Sequence, residues 1–387
     1  MAVASPSLLS TLLILLMGVL LARLSAGWMA RWAVPAIVLE LAMGFILGNT
    51  VVPFQSMAPL SGLTELGVLT LFFQVGLEVR GDLISSRRAT VLRMVALSFF
   101  TPLLAFWPLR SWFALSLPTT LLCLAVLSAT GTGVTLRVLA QRRALQTPSA
   151  RVLVGVSVLD DLPAIGLLLI ASATSGLRLG GQGGGWIGPL AGVLMAILSW
   201  VAVDYWARNR SERPTSALAI LMLLIGSAWL GESSGLTSLL GALWGGVLMA
   251  RLGPVHGEVQ RVLTVLSEVF LPLYFISVGM RVTAGTLLEP LAWSLGAVLI
   301  VMGVLSKLTC GLGISRRDRE EGVDRWLVVT GLIPRGLPGL VFATTALNQG
   351  LIDSVQFSAL VLMVTVTTVL GLLLLERRLS RVEPAPA

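Results

Sequence analysis

Two acidic residues stand side by side in an apolar stretch, Val156-Ser157-Val158-Leu159-Asp160-Asp161-Leu162-Pro163, and apolar sequence continues for about nine residues on either side. A carboxylate in such surroundings must be neutralised, by a proton, a metal cation or a fixed partner. Adjacent residues on a helix point about 100° apart. One acid can therefore take a mobile cation or proton while the other holds a structural partner. The continuing apolar sequence argues against a helix end at an interface. Lys307 is the sole lysine among 27 Lys and Arg residues, and it lies inside another apolar run beside Leu305 and Leu308. An ammonium can give up its proton where a guanidinium cannot. Its natural partner is Asp160 or Asp161. Twin carboxylates with a distant amine are suited to binding a monovalent cation or a proton at one seat. Aspartyl hydrolysis needs two acids facing each other, usually from two segments, and neighbours on one helix diverge.

The elements that carry these residues are membrane helices. The 387-residue chain is 56% hydrophobic and only 12% charged, against about 25% charged in soluble domains. Thirteen apolar runs are readable at 7–22, 33–50, 61–79, 90–109, 119–139, 152–174, 186–206, 215–231, 235–250, 262–279, 290–313, 325–348 and 355–375, each near the length a spanning helix needs. Arginines cluster after the odd-numbered runs, as in Arg80-Arg87-Arg88, Arg142-Arg143-Arg151 and Arg316-Arg317-Arg319, while the alternate loops hold single arginines such as Arg110 or Arg281. That alternation predicts an outside N-terminus and a cytoplasmic C-terminus. No basic residue precedes the first run, so it reads as a retained span rather than a signal peptide. The net charge of +8 is explained by loops facing anionic lipid, not by nucleic acid. Cys123 and Cys310 read as packing residues, His256 as a loop residue, and Glu40, Glu65, Glu78, Glu268 and Glu289 as interfacial.

An internal repeat is faintly visible. Phe72–Leu77 resembles Tyr274–Met280, and Gly44–Gly48 resembles Gly245–Met249, at a shared displacement of about 202 residues. The copies lie an odd number of runs apart, so their orientations are opposite, an inverted-topology repeat. It divides the chain into a first repeat (7–174), a linking span (186–206), a second repeat (215–375) and a short cytoplasmic tail (376–387). Run five contains Thr130-Gly131-Thr132-Gly133, and the equivalent place in run twelve reads Pro334-Arg335-Gly336. Both predict helix breaks, and paired broken helices in two halves mark a transport site.

In Phe72–Leu77, Ser128–Leu139, Asp160-Asp161, Gly241–Gly246, Pro272–Met280, Lys307 and Gly331–Gly336, the chain resembles bacterial monovalent cation:proton antiporters of the second cation:proton antiporter family. The resemblance covers almost the whole length. It implies an all-helical fold of about 13 spans with two crossing broken helices, and a homodimer with a dimerisation domain and a mobile core. It implies Asp161 as the principal ligand for the proton and the transported Na+, Asp160 paired with Lys307, and Thr130 at the crossing-helix threonine position. The family often carries a glutamate after Pro-Arg-Gly, where this chain has Leu337, which leaves the role of Arg335 open. No nucleotide-binding domain follows the last run, so the sodium/proton type is expected over the regulated potassium-efflux type. No resident cofactor is expected; the ions handled are H+ with Na+, Li+ or K+. The competing expectation is a sodium-coupled transporter of an organic anion on a related inverted-repeat fold.

Overall fold

The computed structural model describes residues 8–29, 35–78, 87–131, 135, 138–139, 142–144, 147–175, 187–209, 216–234, 238–252 and 257–381. Among these, every regular element is a helix. In chain order the principal helices are α1 (Leu8–Met29), α2 (Ala36–Thr50), α3 (Ser61–Glu78), α4 (Arg88–Leu103), α5 (Leu117–Ser128), α6 (Pro148–Ser175) and α7 (Ile187–Asn209). They continue with α8 (Ala217–Ser233), α9 (Ser238–Leu252), α10 (Gly257–Arg281), α11 (Pro290–Cys310), α12 (Arg325–Leu332), α13 (Leu337–Asn348) and α14 (Ser354–Leu379). Each apolar run read from the sequence carries helix. Among the described residues, six segments are long and apolar enough to cross a bilayer: Leu8–Gly27, Phe54–Gln74, Arg88–Ser111, Val259–Arg281, Pro290–Gly313 and Ser354–Leu379. Large apolar side chains such as Leu9, Leu104, Leu198 and Trp229 are exposed along the helices, as lipid-facing residues are.

The chain divides into two compact units. The first comprises Met1–Val19, Val52–Arg80 and Gly176–Ser277. Inside it, α3 and α9 approach closely through glycine: Gly76 lies against Leu243 and Val247, and Gly246 against Phe73 and Gly76. Trp244 donates its indole N–H to Ser199 (3.0 Å), and the Arg251 guanidinium stacks over Trp200 at 4.3 Å, tying α9 to α7.

The second unit comprises Leu20–Val51, Gly81–Ser175 and Val278–Ala387. Its helices begin at strong local signals. Ser116 caps α5 by accepting from Thr119 N–H at 3.3 Å, with proline in the first turn. Asp324 caps α12 through Trp326 and Leu327 N–H, and Asp353 forms a capping box with Gln356 at the start of α14. An apolar cluster including Met94, Leu153, Val156, Ile314, Leu327, Val328, Leu332 and Leu375 packs α4, α6, α12 and α14 together.

The connection from α11 to α12 was legible only as a basic loop. It holds a polar clasp. Asp318 accepts from Arg87 Nη1 (3.2 Å), Thr90 Oγ1 (2.8 Å), Ser315 N–H (2.9 Å) and Ser315 Oγ (2.6 Å). Asp324 accepts from Arg378 Nε at 2.7 Å, and its N–H donates to Ser149 Oγ at 2.8 Å. The segment joining α11 to α12 is thus bound to the starts of α4 and α6 and to the end of α14.

Candidate functional site

The site lies in the second unit, where two helices are interrupted. α5 stops at Ser128 because Ala129 turns extended (ψ 146°). Helical residues resume at Thr135 and 138–139. Residues 333–336 separate α12 from α13. The breaks touch: Gly131 N–H donates to the Pro334 carbonyl at 2.7 Å, and Thr135 Oγ1 donates to the Gly331 carbonyl at 2.8 Å. A Cβ on Gly131 would lie 2.5 Å from Gly336 N, and one on Gly336 would lie 2.6 Å from Gly131 Cα. Only glycine lets the two backbones approach this far. Thr132 and Gly133, read as part of the same break, lie outside the described residues.

Arg335 is fully buried at the crossing. Its Nη1 donates to the carbonyls of Leu127 and Ala129, at the C-terminal end of α5. Its Nη2 donates to the Gly303 carbonyl and Ser306 Oγ of α11, both at 2.8 Å, and its own carbonyl accepts from Thr368 Oγ1 at 2.7 Å. A guanidinium at that end offsets the partial negative charge of α5's unpaired carbonyls. The Leu337 side chain lies outside the described residues.

Asp160 projects from α6 beside this crossing and is 2% exposed; Lys307, from α11, is wholly buried. Lys307 Nζ lies 2.5 Å from Asp160 Oδ2. The same carboxylate oxygen accepts from Thr130 Oγ1 (3.0 Å), which stands in the α5 break, and from Ser98 Oγ (2.8 Å) of α4. Lys307 also donates to Ser98 Oγ at 2.5 Å. Groups from three other elements thus converge on one acid of α6. A buried ion pair persists only when hydrogen bonds replace the lost water, and the two hydroxyls supply them. Asp161 is the next residue of α6; its side chain lies outside the described residues. Ser157, one turn earlier, is fully buried, and its hydroxyl has no hydrogen-bond partner among the described residues.

Sequence reasoning missed Ser98, Ser306 and Ser157. A serine in an apolar helix commonly bonds its own backbone, so type and position alone did not separate these from neutral packing residues. One expectation is corrected. Glu40, expected at an interface from its place near the start of its apolar run, is 4% exposed. With Leu41 and Gly44 it forms the inward face of α2, and that face packs where Gly279 approaches Leu41 and Phe45. Glu65, Glu268 and Glu289 are exposed; the Glu78 side chain and His256 lie outside the described residues. Cys123 and Cys310 are buried free thiols, the latter donating to the Met94 carbonyl at 3.3 Å.

An all-helical membrane protein whose interrupted helices cross beside a buried, hydroxyl-lined ion pair falls in the class of secondary transporters. The pattern described as "Sodium/hydrogen exchanger, transmembrane" matches residues 10–376, and the chain belongs to this family. A Na+/H+ antiporter of Enterococcus hirae is 24% identical over 363 residues, covering 89% of this chain and 92% of that protein. The Na+/H+-K+ antiporter GerN of Bacillus cereus is 23% identical, covering 90% and 91%. In fold, the chain is similar to the sodium proton antiporter MjNhaP1 of Methanocaldococcus jannaschii, with a TM-score of 0.64 over 95% of each chain at 17% identity.

Proposed function

We propose that this multi-pass membrane protein exchanges a monovalent cation for protons by alternating access, with Na+ or Li+ favoured and K+ a further substrate. The observation that carries the reading is the Asp160–Lys307 pair, buried at the crossing with Asp161 one residue on. Asp161 takes the mobile ion in this reading, assisted by Thr130 and by Asp160 when its pairing loosens. Lys307 trims the charge. With both acids ionised and the amine protonated, the three groups sum to −1, which is costly to carry through a low-dielectric layer. A proton or a sodium-like ion brings the sum to zero. The loaded site moves and the empty one does not, so the two flows are coupled. If Lys307 keeps its proton, exchange is one for one and electrically silent. If cation binding frees that proton, two protons move per cation and the cycle is electrogenic, the form we favour.

The inverted repeat is part of this reading, and the contacts support it. Gly76 approaches Leu243 and Val247, while Gly279 approaches Leu41 and Phe45. The second set reproduces the first with the halves exchanged, at displacements of 202 and 203 residues. We further propose a homodimer in the cell (inner) membrane, N-terminus outside and C-terminus cytoplasmic, as the arginine pattern predicts. Coupled uptake of an organic anion is not favoured, because the relatives above are named antiporters.

The test is dissipation of a pH gradient in proteoliposomes on adding Li+, Na+ or K+, with transport current recorded on a supported membrane. Wild type should respond to Na+ and Li+, and Asp161→Asn should abolish the response. Retained exchange in Asp161→Asn would remove that residue from its role, and a silent current with intact exchange would support one-for-one stoichiometry.

A further inference from the structure

Ser98 bonds both members of the ion pair and closes a triangle with them. Its hydroxyl accepts from Lys307 Nζ at 2.5 Å and donates to Asp160 Oδ2 at 2.8 Å, and it is fully buried. We propose that Ser98 is a positioning residue for cation binding: it is the second anchor of Lys307, which lets Asp160 turn toward an incoming cation without leaving the ammonium stranded. This rests on the exchange reading above.

The argument is one of hydrogen-bond capacity. A buried ammonium has three donors and no acceptor, and stranding it carries a desolvation cost larger than that of a neutral group. If Asp160 were its sole partner, any rotation of Asp160 toward a cation would incur that cost in full. A hydroxyl oxygen has two lone pairs and one proton. Ser98 can therefore keep hold of the amine whether or not Asp160 stays. Thr130 Oγ1, at 3.0 Å, provides Asp160 with a second neutral partner on the crossing side.

Ser98 is not needed to hold α4 against α11. Thr101 and Thr309 share a hydrogen bond at 2.8 Å, and Cys310 donates to the Met94 carbonyl at 3.3 Å. These secure the same pair of helices on both sides of Ser98. Removing its hydroxyl takes one partner from each of two charged groups and leaves the seam closed.

The experiment compares full-length wild type, Ser98→Ala, Ser98→Thr and Thr101→Val in proteoliposomes, reading initial exchange rate against Na+ concentration. Ser98→Ala should raise the apparent KM for Na+ about tenfold or more, the scale of one hydrogen bond to a charged group, with a smaller effect on maximal rate. Ser98→Thr should restore KM to within a few-fold of wild type. Thr101→Val, which touches neither Lys307 nor Asp160, should leave KM unchanged. An unaltered KM in Ser98→Ala overturns the inference while wild-type exchange leaves the wider reading standing. So does an equal rise in Thr101→Val, or a Ser98→Thr variant no better than alanine, since either outcome assigns the serine to packing. Absence of Na+-dependent exchange in wild type would instead overturn the exchange reading itself.

Discussion

At the residue scale, the chemistry rests on charges buried within the protein. Lys307 and Asp160 are tolerable together because each completes the other's bonding, so truncating one partner should be far worse than replacing both. Lys307→Ala should lower the stability of the purified protein by about 3–5 kcal/mol, the cost of an uncompensated buried charge. Exchanging the pair for apolar residues of similar volume (Asp160→Leu with Lys307→Met) should recover most of that stability and no transport. Thermal melts of the three proteins in one detergent measure the difference; a single variant as stable as the double would mean the pair carries little. These two residues were legible in the sequence because they break its habits: one lysine among arginines, two acids in an apolar run. Ser98 breaks none, since hydroxyls are common in membrane helices, and only its bonds to both charges give it meaning. Glu40 misled for the opposite reason. It stands near the beginning of its apolar run, but α2 starts at Ala36 and turns that edge inward.

At the scale of elements, the broken helices were readable from glycine and proline, whereas the clasp between α11 and α12 was not. Asp318 and Asp324 look like ordinary loop residues until the start of α4 is brought to the first, and the start of α6 and the end of α14 to the second. Burial alone would push the Asp318 carboxyl up, but hydrogen bonds from Ser315, Thr90 and Arg87 outweigh it and hold the group below the usual carboxylate range. The sign follows from linkage: stability gained from a depressed carboxylate is present above the unfolded-state value and lost as pH falls through the folded-state value. Asp318→Asn should therefore be less stable than wild type by roughly 2 kcal/mol at neutral pH, the scale of hydrogen bonds to a charged group. The gap should close as the pH drops below about 4, where the unfolded carboxyl itself protonates. Melting curves for both proteins between neutral and acid pH check this; a constant gap would mean that the charge is not what the clasp uses.

At the scale of the whole molecule, the repeated glycine contacts make a prediction that no single helix would. Gly76→Val and Gly279→Val each force a branched side chain into backbone, against Leu243 and Val247 in one case and Leu41 and Phe45 in the other. Each should destabilise the protein by about 1–3 kcal/mol or more. Gly226→Ala, where nothing lies within 4 Å of the added carbon, should instead gain up to about 1 kcal/mol of helix propensity. Unequal losses in the two valine variants, read as shifts in melting temperature, would argue against equivalent roles in the two halves. The proposed repeat leaves only a trace in the sequence, because matching backbone contacts require little more than a small residue in each half. The bond from Gly131 to Pro334 has a further mechanical consequence. It rivets the two interruptions together through peptide groups rather than side chains, so neither segment can slide past the other without breaking it. A side-chain substitution nearby leaves this rivet in place, so in the alternating-access cycle proposed above both interruptions should travel as one part.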